Sequence, residues 1–288
     1  AVSMAATDGN DPSGVEYSFI CTAGGGHDSG WQDSPVYTDT GLAPDTLYSY
    51  RIQLRDKSIS ANTTALSATG SATTDPDPSS YLVGYWKLDE SSGGIAGDDS
   101  GNGYSGTLVG DPVWMPAGGW IDGAIDLDGV GDYIRIEAES PFDITDVITV
   151  SAWIKVTSFD NDWASVVTKG DSAWRLARSN GGSTMEFSCT GISNNQYGYI
   201  AGSINVDDGA WHHVAGVYDG SRIYLYIDGV EDVSEAATGS IDLNNYKVFI
   251  GENGQATGRT WNGYIDDVRV YHRALSAPDI LSTYQGNL

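Results

Sequence analysis

Short runs of alternating apolar and polar residues, separated by glycine-containing turns, extend along most of the chain. The clearest example runs from Trp211 to Gly229 and is interrupted at Asp219-Gly220 and Asp228-Gly229. Asp-Gly between alternating segments is a strong hairpin signal, because both residues of the turn tolerate a positive φ. The pattern therefore predicts three consecutive antiparallel strands.

The alternation continues on both sides of this region. Ile148–Lys155 is fairly apolar on both faces, as expected of a strand inside a β-sandwich. Trp261–Tyr271 predicts the last long strand, and Ser276-Ala-Pro-Asp279 supplies the N-cap, early proline and acidic residue that begin a helix. We therefore expect an all-β fold that is closed by one short helix.

A segment rich in proline and acidic residues divides the chain. Pro76 and Pro78 stiffen residues 75–80, since each proline fixes its own φ and favours an extended residue before it. This segment is predicted to link a first domain over residues 1–74 to a second domain over residues 81–288.

The first domain contains a predicted strand whose alternating residues are Tyr48, Tyr50, Ile52 and Leu54. A leucine and a tyrosine corner before such a strand resemble the signature of fibronectin type III domains. The resemblance implies a sandwich that acts as a spacer. Because such sandwiches usually have roughly 100 residues, we expect the first strand of this domain to be missing.

The second domain resembles the laminin-G-like jelly rolls, which belong to the concanavalin A-like sandwiches of many secreted bacterial proteins. Tyr81–Glu90, Trp211–Gly229 and Trp261–Tyr271 each have a counterpart in that family. The resemblance implies a jelly-roll β-sandwich and a function in glycan binding. The expected architecture is thus a fibronectin type III-like sandwich followed by a concanavalin A-like (laminin-G-like) jelly roll.

Charge and composition limit the range of partners. The chain has 14 Lys and Arg against 39 Asp and Glu, a formal net charge of −25. Such a charge repels phosphate groups, so nucleic acid and anionic membrane surfaces are not expected partners. No apolar run is long enough to insert across a membrane, and two distant cysteines exclude a disulfide scaffold. These features favour a secreted, turn-rich β-protein.

The sequence lacks the carboxylate pattern that catalysis on this fold would need. A glycosidase needs two carboxylates flanking the scissile bond, and the concanavalin A-like glucanases carry theirs as Glu-x-Asp-x-x-Glu on one strand. That spacing does not occur here. His212 and His213 are tempting catalytic residues, but the family's own strand carries both, which favours a supporting role. We predict a binding protein rather than an enzyme.

A calcium site is expected around Asp98 and Asn102. The segment Asp98–Gly103 resembles the family's Asp-x-Ser-Gly-Asn-Gly loop, which packs near the last strand, where Asp266 and Asp267 lie. Ca²⁺ binds six to eight oxygen atoms from carboxylates, amides and free carbonyls. The alternative is a turn that Asx hydrogen bonds stabilise without an ion.

A second acidic segment, Asp126–Asp132 with Glu137 beyond it, partly imitates an EF-hand loop. Val130 occupies a ligand position, and no helical pattern flanks the segment. The alternation before and after the segment favours a β-hairpin instead.

Glycan recognition uses aromatic faces that stack on sugar C–H groups, together with a few planar hydrogen-bonding groups. Residues Trp174–Arg178 have the alternation of a β-strand, which puts Trp174, Leu176 and Arg178 on one face and Arg175 on the other. The predicted glycan site comprises Trp174, Arg178, Trp163, Asn195, Tyr197 and Tyr199. In the alternative, Trp174 and Leu176 fill the sandwich core and Arg178 is a charge at its rim.

These features together predict a non-catalytic carbohydrate-binding module of a larger secreted protein, which binds a polysaccharide with the support of calcium. Its partners would be that glycan and an attached catalytic domain of the same polypeptide. An adhesion or protein-interaction module on the same fold is the first alternative, and a glycan-cleaving enzyme with an unrecognised carboxylate pair is the second.

Overall fold

The structure of the protein is a computed structural model, which describes residues 1–7, 9–74, 76–194 and 198–287. Contacts within the chain divide it into two compact units, Ala1–Ser80 and Tyr81–Leu288. Both units consist of β-strands joined by turns, as the alternating pattern predicts. In the part of the chain that the structure describes, no helix is long and apolar enough to cross a membrane.

The first unit contains strands β1 (Val2–Ala5), β2 (Val15–Ala23), β3 (Trp31–Gln32), β4 (Val36–Asp39), β5 (Leu47–Asp56) and β6 (Gly70–Thr73). Strand β1 pairs with β4, and a second sheet has the order β3-β2-β5-β6. The buried Tyr48 hydroxyl accepts a hydrogen bond from the Ala43 N–H at 2.9 Å. This contact has the form of a tyrosine corner, and the assignment of this unit to the fibronectin type III family stays a prediction.

The second unit contains strands β7 (Leu82–Trp86), β8 (Ile95–Ala96), β9 (Gly106–Val109), β10 (Val113–Met115), β11 (Ala124–Asp128), β12 (Tyr133–Ile136), β13 (Ile148–Val156), β14 (Ser165–Thr168), β15 (Trp174–Arg178), β16 (Met185–Cys189), β17 (Tyr199–Ala201), β18 (Trp211–Tyr218), β19 (Arg222–Ile227), β20 (Val230–Ala236), β21 (Val248–Ile250) and β22 (Asn262–Tyr271). Helix α1 (Ala277–Tyr284) follows the last strand. Short 3₁₀ turns occur at Pro78–Tyr81 and Ser140–Phe142.

The strands of the second unit form two antiparallel sheets. The first sheet has the order β10-β11-β22-β13-β18-β19-β20, and β7 also pairs with β22. The second sheet has the order β17-β16-β15-β14-β21-β12-β9-β8. Several neighbouring strands are distant in sequence, as in a jelly-roll sandwich, so the predicted fold class is confirmed for this unit.

Apolar side chains of the two sheets form one core between them. Ile154 and Val214 of the first sheet and Trp174 and Phe187 of the second are among its buried members. Gly216 lies directly against the Phe187 ring, because a Cβ at this position would be 2.1 Å from the ring. The ring therefore fills the space that a side chain on β18 would occupy, which explains the glycine.

Helix α1 covers part of the outer face of the first sheet. It begins at the predicted N-cap Ser276, and Ser276 and Asp279 form a reciprocal capping box. Ile280 of the helix packs in a cluster with Ala215 and Tyr226 of the sheet. The first sheet is thus buried on both faces at this point, whereas strands β15–β17 of the second sheet keep a polar outer face.

The predicted Asp-Gly turns are confirmed, whereas the third predicted hairpin is wrong. Asp219-Gly220 connects β18 to β19, and Asp228-Gly229 connects β19 to β20 with φ values of 52° and 78°. The acidic segment Asp126–Asp132 instead carries the chain from β11 in the first sheet to β12 in the second. Alternation identifies both strands but does not indicate which sheet each one joins.

Candidate functional site

The outer face of the second sheet has a depression across β15, β16 and β17. Strand pairing aligns two rows of side chains on this face, Arg175–Ser188–Tyr199 and Ala177–Glu186–Ala201. They face outward because Trp174 and Leu176, which alternate with Arg175, point into the core. Ala177, Glu186 and Ser188 are buried on this face, whereas Arg175, Tyr199 and Ala201 are partly exposed.

Connections between neighbouring strands deepen this depression into a cleft of ≈ 310 Å³. Trp163 comes from the β13–β14 connection, Asn180 from the β15–β16 connection and Arg259 from the β21–β22 connection. The cleft is lined by Trp163, Arg175, Ser179, Asn180, Glu186, Tyr199, Ala201 and Arg259. Residues far apart in sequence thus contribute to one concave surface.

Two carboxylates hold Arg175 in the cleft. Its Nε and Nη2 donate to Glu186 Oε1 at 3.2 and 3.0 Å, and its Nη1 donates to Asp171 Oδ1 at 3.4 Å. Glu186 is only 2% exposed, and this burial raises its pKa although the Arg175 charge acts against the increase. Because three of its nitrogens are engaged, the guanidinium of Arg175 has a fixed position.

Arg259 connects the aromatic and charged parts of the cleft. Its Nη1 donates to Asp171 Oδ1 at 2.6 Å, and its guanidinium carbon lies 5.0 Å from the centre of the Trp163 ring. This distance is within the range of a cation–π contact. Asp171 therefore contacts both arginines of the cleft.

A buried glutamate shapes the loop that carries Arg259. Glu252 Oε1 accepts the N–H groups of Asn253 and Arg259, and its Oε2 accepts the N–H of Gly258. The Asn253 side chain donates to Asp171 Oδ1 at 2.8 Å. These bonds to carboxylates are charge-assisted and therefore strong, so the loop is well anchored beside the cleft.

Trp163 has an unusual backbone conformation. Its φ is 55°, in the left-handed region that bulky residues seldom adopt. Its carbonyl accepts a hydrogen bond from the Ser165 hydroxyl at 3.2 Å. Strained residues of this kind persist where their surroundings hold them, and they are frequent at functional sites.

Comparison with protein families assigns the second unit. A family model described as the concanavalin A-like lectin/glucanases superfamily matches residues 128–281, more than half of the chain. The chain belongs to this superfamily. The predicted resemblance to laminin-G-like jelly rolls is thereby confirmed, and the matched residues include every side chain that lines the cleft.

Solved structures of this superfamily's fold cover most of the chain. The binding domain of Paraclostridial Mosquitocidal Protein 1 has a TM-score of 0.58 and 17% identity, covering 73% of this chain and 53% of that one. A second structure is Domain 4 of AbnA, a GH43 extracellular arabinanase from Geobacillus stearothermophilus, in complex with arabinotriose. It has a TM-score of 0.54 and 20% identity, and the match covers 71% of this chain and 98% of that one. The receptor binding domain of botulinum neurotoxin C/D mosaic serotype has a TM-score of 0.54 and 19% identity, covering 72% and 52%. At these identities the similarity concerns the fold.

One curated relative is an enzyme of much greater length. The chain is 31% identical over 88 residues to an alpha-L-arabinofuranosidase of Bifidobacterium longum subsp. longum. The match covers 29% of this chain and 8% of that protein. The chain thus spans less than a tenth of the length of this relative.

Two of the six predicted glycan-binding residues do not face the cleft. Trp174 is 1% exposed, and its Nε1 donates to the Phe142 carbonyl at 3.2 Å inside the core. Arg178 is also buried, and it donates from Nε to the Gly182 carbonyl and from Nη1 to the Asn161 carbonyl, each at 2.7 Å. The structure corrects the prediction here, because Trp174 packs in the core and Arg178 holds loop carbonyls.

The remaining predicted residues lie at or near the cleft where the structure describes them. Trp163 and Tyr199 both line it. Asn195 and Tyr197 lie outside the described residues. Two of the predicted residues therefore line the cleft, and its charged residues Arg175, Glu186 and Arg259 are not among those predicted.

The charged residues of the cleft differ in how far the sequence could have indicated them. Alternation puts Arg175 on the strand face opposite Trp174 and Leu176. Because the face with Trp174 and Leu176 is the more apolar one, it should point into the core, and Arg175 should then point outward. Glu186 and Arg259 give no such signal, because only the strand pairing and the β21–β22 loop bring them beside Arg175.

The residues predicted to bind calcium at the Asp98 loop are engaged in hydrogen bonds. Asp98 accepts three backbone N–H groups, those of Tyr85, Ser100 and Tyr104. Asn102 Nδ2 donates to the carbonyls of Leu82 and Val83 at 2.9 and 3.0 Å. The loop is therefore a hydrogen-bonded turn, which is the alternative that the sequence left open.

The two predicted ligands on β22 are buried and also have partners within the protein. Asp266 Oδ2 accepts two backbone N–H groups at 2.9 Å, and Asp267 accepts the Tyr85 hydroxyl and pairs with Arg269 at 3.1 Å. Burial raises the pKa of Asp266 to about 8, and its Oδ1 has no hydrogen-bond partner. Ca²⁺ needs six to eight oxygen ligands and several oxygens of this set already accept hydrogen bonds, so calcium binding here stays a prediction.

A different group of acidic residues forms where the β9–β10 connection meets the end of β11 and the β11–β12 connection. Asp111, Asp128 and Asp132 have carboxylate oxygens within 4.8 Å of one another, which holds for no other group of three acidic, His or Cys side chains among the described residues. Asp132 Oδ1 accepts the Asp111 N–H at 2.8 Å, so a backbone hydrogen bond already stabilises part of this arrangement.

Proposed function

We propose that the chain is a non-catalytic carbohydrate-binding module that holds a glycan in the cleft on the outer face of its second sheet. The observation that carries this proposal is the convergence of Trp163 and Tyr199 with the fixed guanidinium of Arg175 in one concave surface. The family description names lectins and glucanases, and both kinds of protein bind carbohydrate.

The chemistry of the cleft suits a sugar. Aromatic rings such as those of Trp163 and Tyr199 can cover the apolar C–H surface of a sugar ring. Arg175, Asn180 and Glu186 supply the hydrogen-bonding groups that orient its hydroxyls. A volume of ≈ 310 Å³ is at the lower end of the range for ligand pockets, roughly 300–1,000 Å³, which favours a short segment of a glycan chain.

The state of the carboxylates in the cleft supports binding without cleavage. Glycoside hydrolysis needs one carboxyl group to donate a proton to the leaving oxygen and a second to act as nucleophile or base. Glu186 Oε1 accepts two hydrogen bonds from Arg175, and Asp171 Oδ1 accepts hydrogen bonds from Arg175 and Arg259. Both carboxylates are therefore committed to ion pairs with arginines.

The lengths of the relatives support a place within a larger secreted protein. The chain covers 98% of an isolated domain of an extracellular arabinanase but 8% of an arabinofuranosidase. We infer that the module keeps an attached catalytic domain close to the polysaccharide on which that domain acts. Calcium has no assigned role in this proposal, because none of its predicted ligands lines the cleft.

A glycan array followed by affinity electrophoresis tests the proposal. We expect the wild-type protein to retain at least one polysaccharide, and we expect Trp163→Ala and Arg259→Ala to lose that retention while staying folded. Trp120→Ala is a matched control, because Trp120 is half-exposed and stacks on Trp153 of the first sheet, away from the cleft.

Two results would contradict the proposal. One is the absence of any retained glycan, and the other is retention that both cleft variants preserve. Release of reducing ends that stops in Glu186→Gln would instead support the enzyme alternative.

A further inference from the structure

The charges in the cleft balance one another. Arg175 and Arg259 are positive, and both donate hydrogen bonds to the negative Asp171. Arg175 also donates to Glu186, which has a second negative charge. Two positive and two negative side chains leave no net positive charge in the cleft, in a chain whose formal net charge is −25.

We infer that the cleft selects neutral glycans and rejects those that carry carboxylate or sulfate groups, an inference that rests on the proposed function. An anionic sugar would bind to an arginine chiefly through free guanidinium donors. Each nitrogen of Arg175 already donates to Glu186 or Asp171, and Arg259 donates to Asp171, so the remaining N–H groups of both arginines belong to guanidiniums that are paired with a carboxylate. A second anion at this point would have to displace one of these carboxylates or lie beside it.

A neutral sugar meets no such obstacle. Each hydroxyl group both donates and accepts a hydrogen bond, so it can contact a carboxylate oxygen or a guanidinium edge without separating the ion pair. The paired arginine and carboxylate side chains then form a fixed polar surface. Hydrogen bonds to this surface orient the sugar, and the ion pairs stay intact. Stacking of a sugar ring on Trp163 or Tyr199 does not require a charge on the glycan.

Asp171 has the central position in this arrangement. It accepts hydrogen bonds from Arg175, Arg259 and Asn253 through one oxygen, Oδ1, and its side chain is 31% exposed. Its single negative charge therefore lies beside both arginines, and together with the charge of Glu186 it balances them. Asp171→Asn removes that charge while keeping an oxygen acceptor of the same shape, so the two arginines would carry an excess of positive charge.

The first part of the test uses the wild-type protein. Neutral polysaccharides (arabinan, galactan, xylan and mannan) are compared with anionic ones (polygalacturonate, alginate and a sulfated glycan), and homogalacturonan is compared in its methyl-esterified and de-esterified forms. At about 0.15 M salt the screening length is about 8 Å, so repulsion by the distant acidic residues of the chain is reduced and the cleft itself is probed. We expect retention of neutral probes only.

The second part uses Asp171→Asn. We expect this variant to gain affinity for an anionic probe by at least about tenfold, with a gain that decreases as salt increases, because the negative charge beside both arginines is lost. Asp99→Asn is the matched control, since Asp99 also pairs with a cation, Lys87, but lies on the connection after β8. Asp99→Asn changes the net charge by the same amount, and we expect no gain in its affinity for the anionic probe. Glu186→Gln is a second variant with the same expected gain.

The outcomes separate the inference from the proposed function. Preferential binding of an anionic probe by the wild type, lost in Arg259→Ala, would support a glycan site in the cleft and overturn the inference of neutral selectivity. Equal gains in Asp171→Asn and Asp99→Asn would also overturn it, because the effect would then come from net charge. Binding that no cleft variant alters would contradict both.

Discussion

Trp163, in the β13–β14 connection, and Trp174, on strand β15, illustrate two different uses of the same type of side chain. Trp163 lines the cleft and contacts Arg259, with a backbone in the left-handed region. Trp174 is fully enclosed in the core and donates a hydrogen bond to a backbone carbonyl. The first residue should therefore affect binding and the second stability.

Replacement of each tryptophan by alanine should give opposite results. For Trp163→Ala we expect a loss of glycan affinity of about one decade, equivalent to about 1.4 kcal/mol, and little change in the free energy of unfolding. For Trp174→Ala we expect a loss of about 3–5 kcal/mol in the free energy of unfolding, because a large core side chain leaves a cavity. Urea unfolding and binding titrations of both variants measure these changes. A folded Trp163→Ala protein with unchanged affinity would be inconsistent with this assignment.

At the residue scale, the sequence could predict which side chains share a face but not which face meets a ligand. Alternation correctly separates Arg175 from Trp174 and Leu176. The burial of Arg178 has a different cause, since it satisfies loop carbonyls at the end of its strand. Those carbonyls belong to connections whose positions no local pattern indicates.

Strand β18 contains two adjacent histidines in opposite environments. His212 Nδ1 and Nε2 lie 2.9 and 3.2 Å from Asp228 and Asp208, and the hydrogen bond to Asp228 is the main reason that its pKa is raised. His213 is buried on the other face of the strand, and burial lowers its pKa to about 3. The two side chains therefore respond to pH in opposite directions.

The pH dependence of stability follows from these two shifts. His212 binds its proton more tightly in the folded state, so its contribution is complete below about pH 6.5 and is lost as pH rises through the folded pKa. His213 binds its proton less tightly when folded, so its contribution is complete above about pH 6.5 and is lost as pH falls towards 3. These two contributions together favour a maximum of stability near neutral pH.

A His212→Gln variant isolates the first of these contributions. We expect it to lower the free energy of unfolding more at pH 6 than at pH 9, because only the protonated imidazole interacts with both aspartates as a charge. Urea unfolding at the two pH values measures the difference. The exposed His272 provides a control in His272→Gln. An equal loss at pH 6 and pH 9 would contradict the role assigned to His212.

At the element scale, turn chemistry made the hairpins predictable. Asp228-Gly229 has the two positive φ angles that this pair of residues tolerates, so local sequence alone determines the connection. The Asp126–Asp132 segment has the same kind of residues but joins two sheets. The difference depends on the partners of β11 and β12, which are distant in sequence, and turn composition carries no information about them.

At the scale of the whole molecule, the formal net charge of −25 should destabilise the folded state, because the acidic side chains repel one another. Any salt will screen this repulsion, and a divalent cation will screen it more strongly at equal concentration. A general response to ionic strength must therefore be separated from specific binding of calcium. At the predicted calcium site, Asp98 and Asp266 already accept backbone hydrogen bonds, which reduces the number of free carboxylate oxygens.

We expect the melting temperature to be the same, within about 1 °C, in calcium chloride and in EDTA at matched ionic strength, since only a ligand bound specifically to the folded state would shift it. Calorimetry measures this. Saturation of a specific site at 100 times its Kd would add about 2.7 kcal/mol. A rise of several degrees that disappears in Asp98→Asn or Asp266→Asn would restore the site expected from the sequence.

The central claim is that a glycan occupies the cleft on the outer face of the second sheet. A crystal structure of the protein with an oligosaccharide selected on the array tests this claim most directly. We predict a sugar ring between Trp163 and Tyr199, with hydroxyl groups hydrogen-bonded to the Arg175–Glu186 pair. A sugar bound instead at the first sheet, or at the β11–β12 connection around Asp128, would contradict the account.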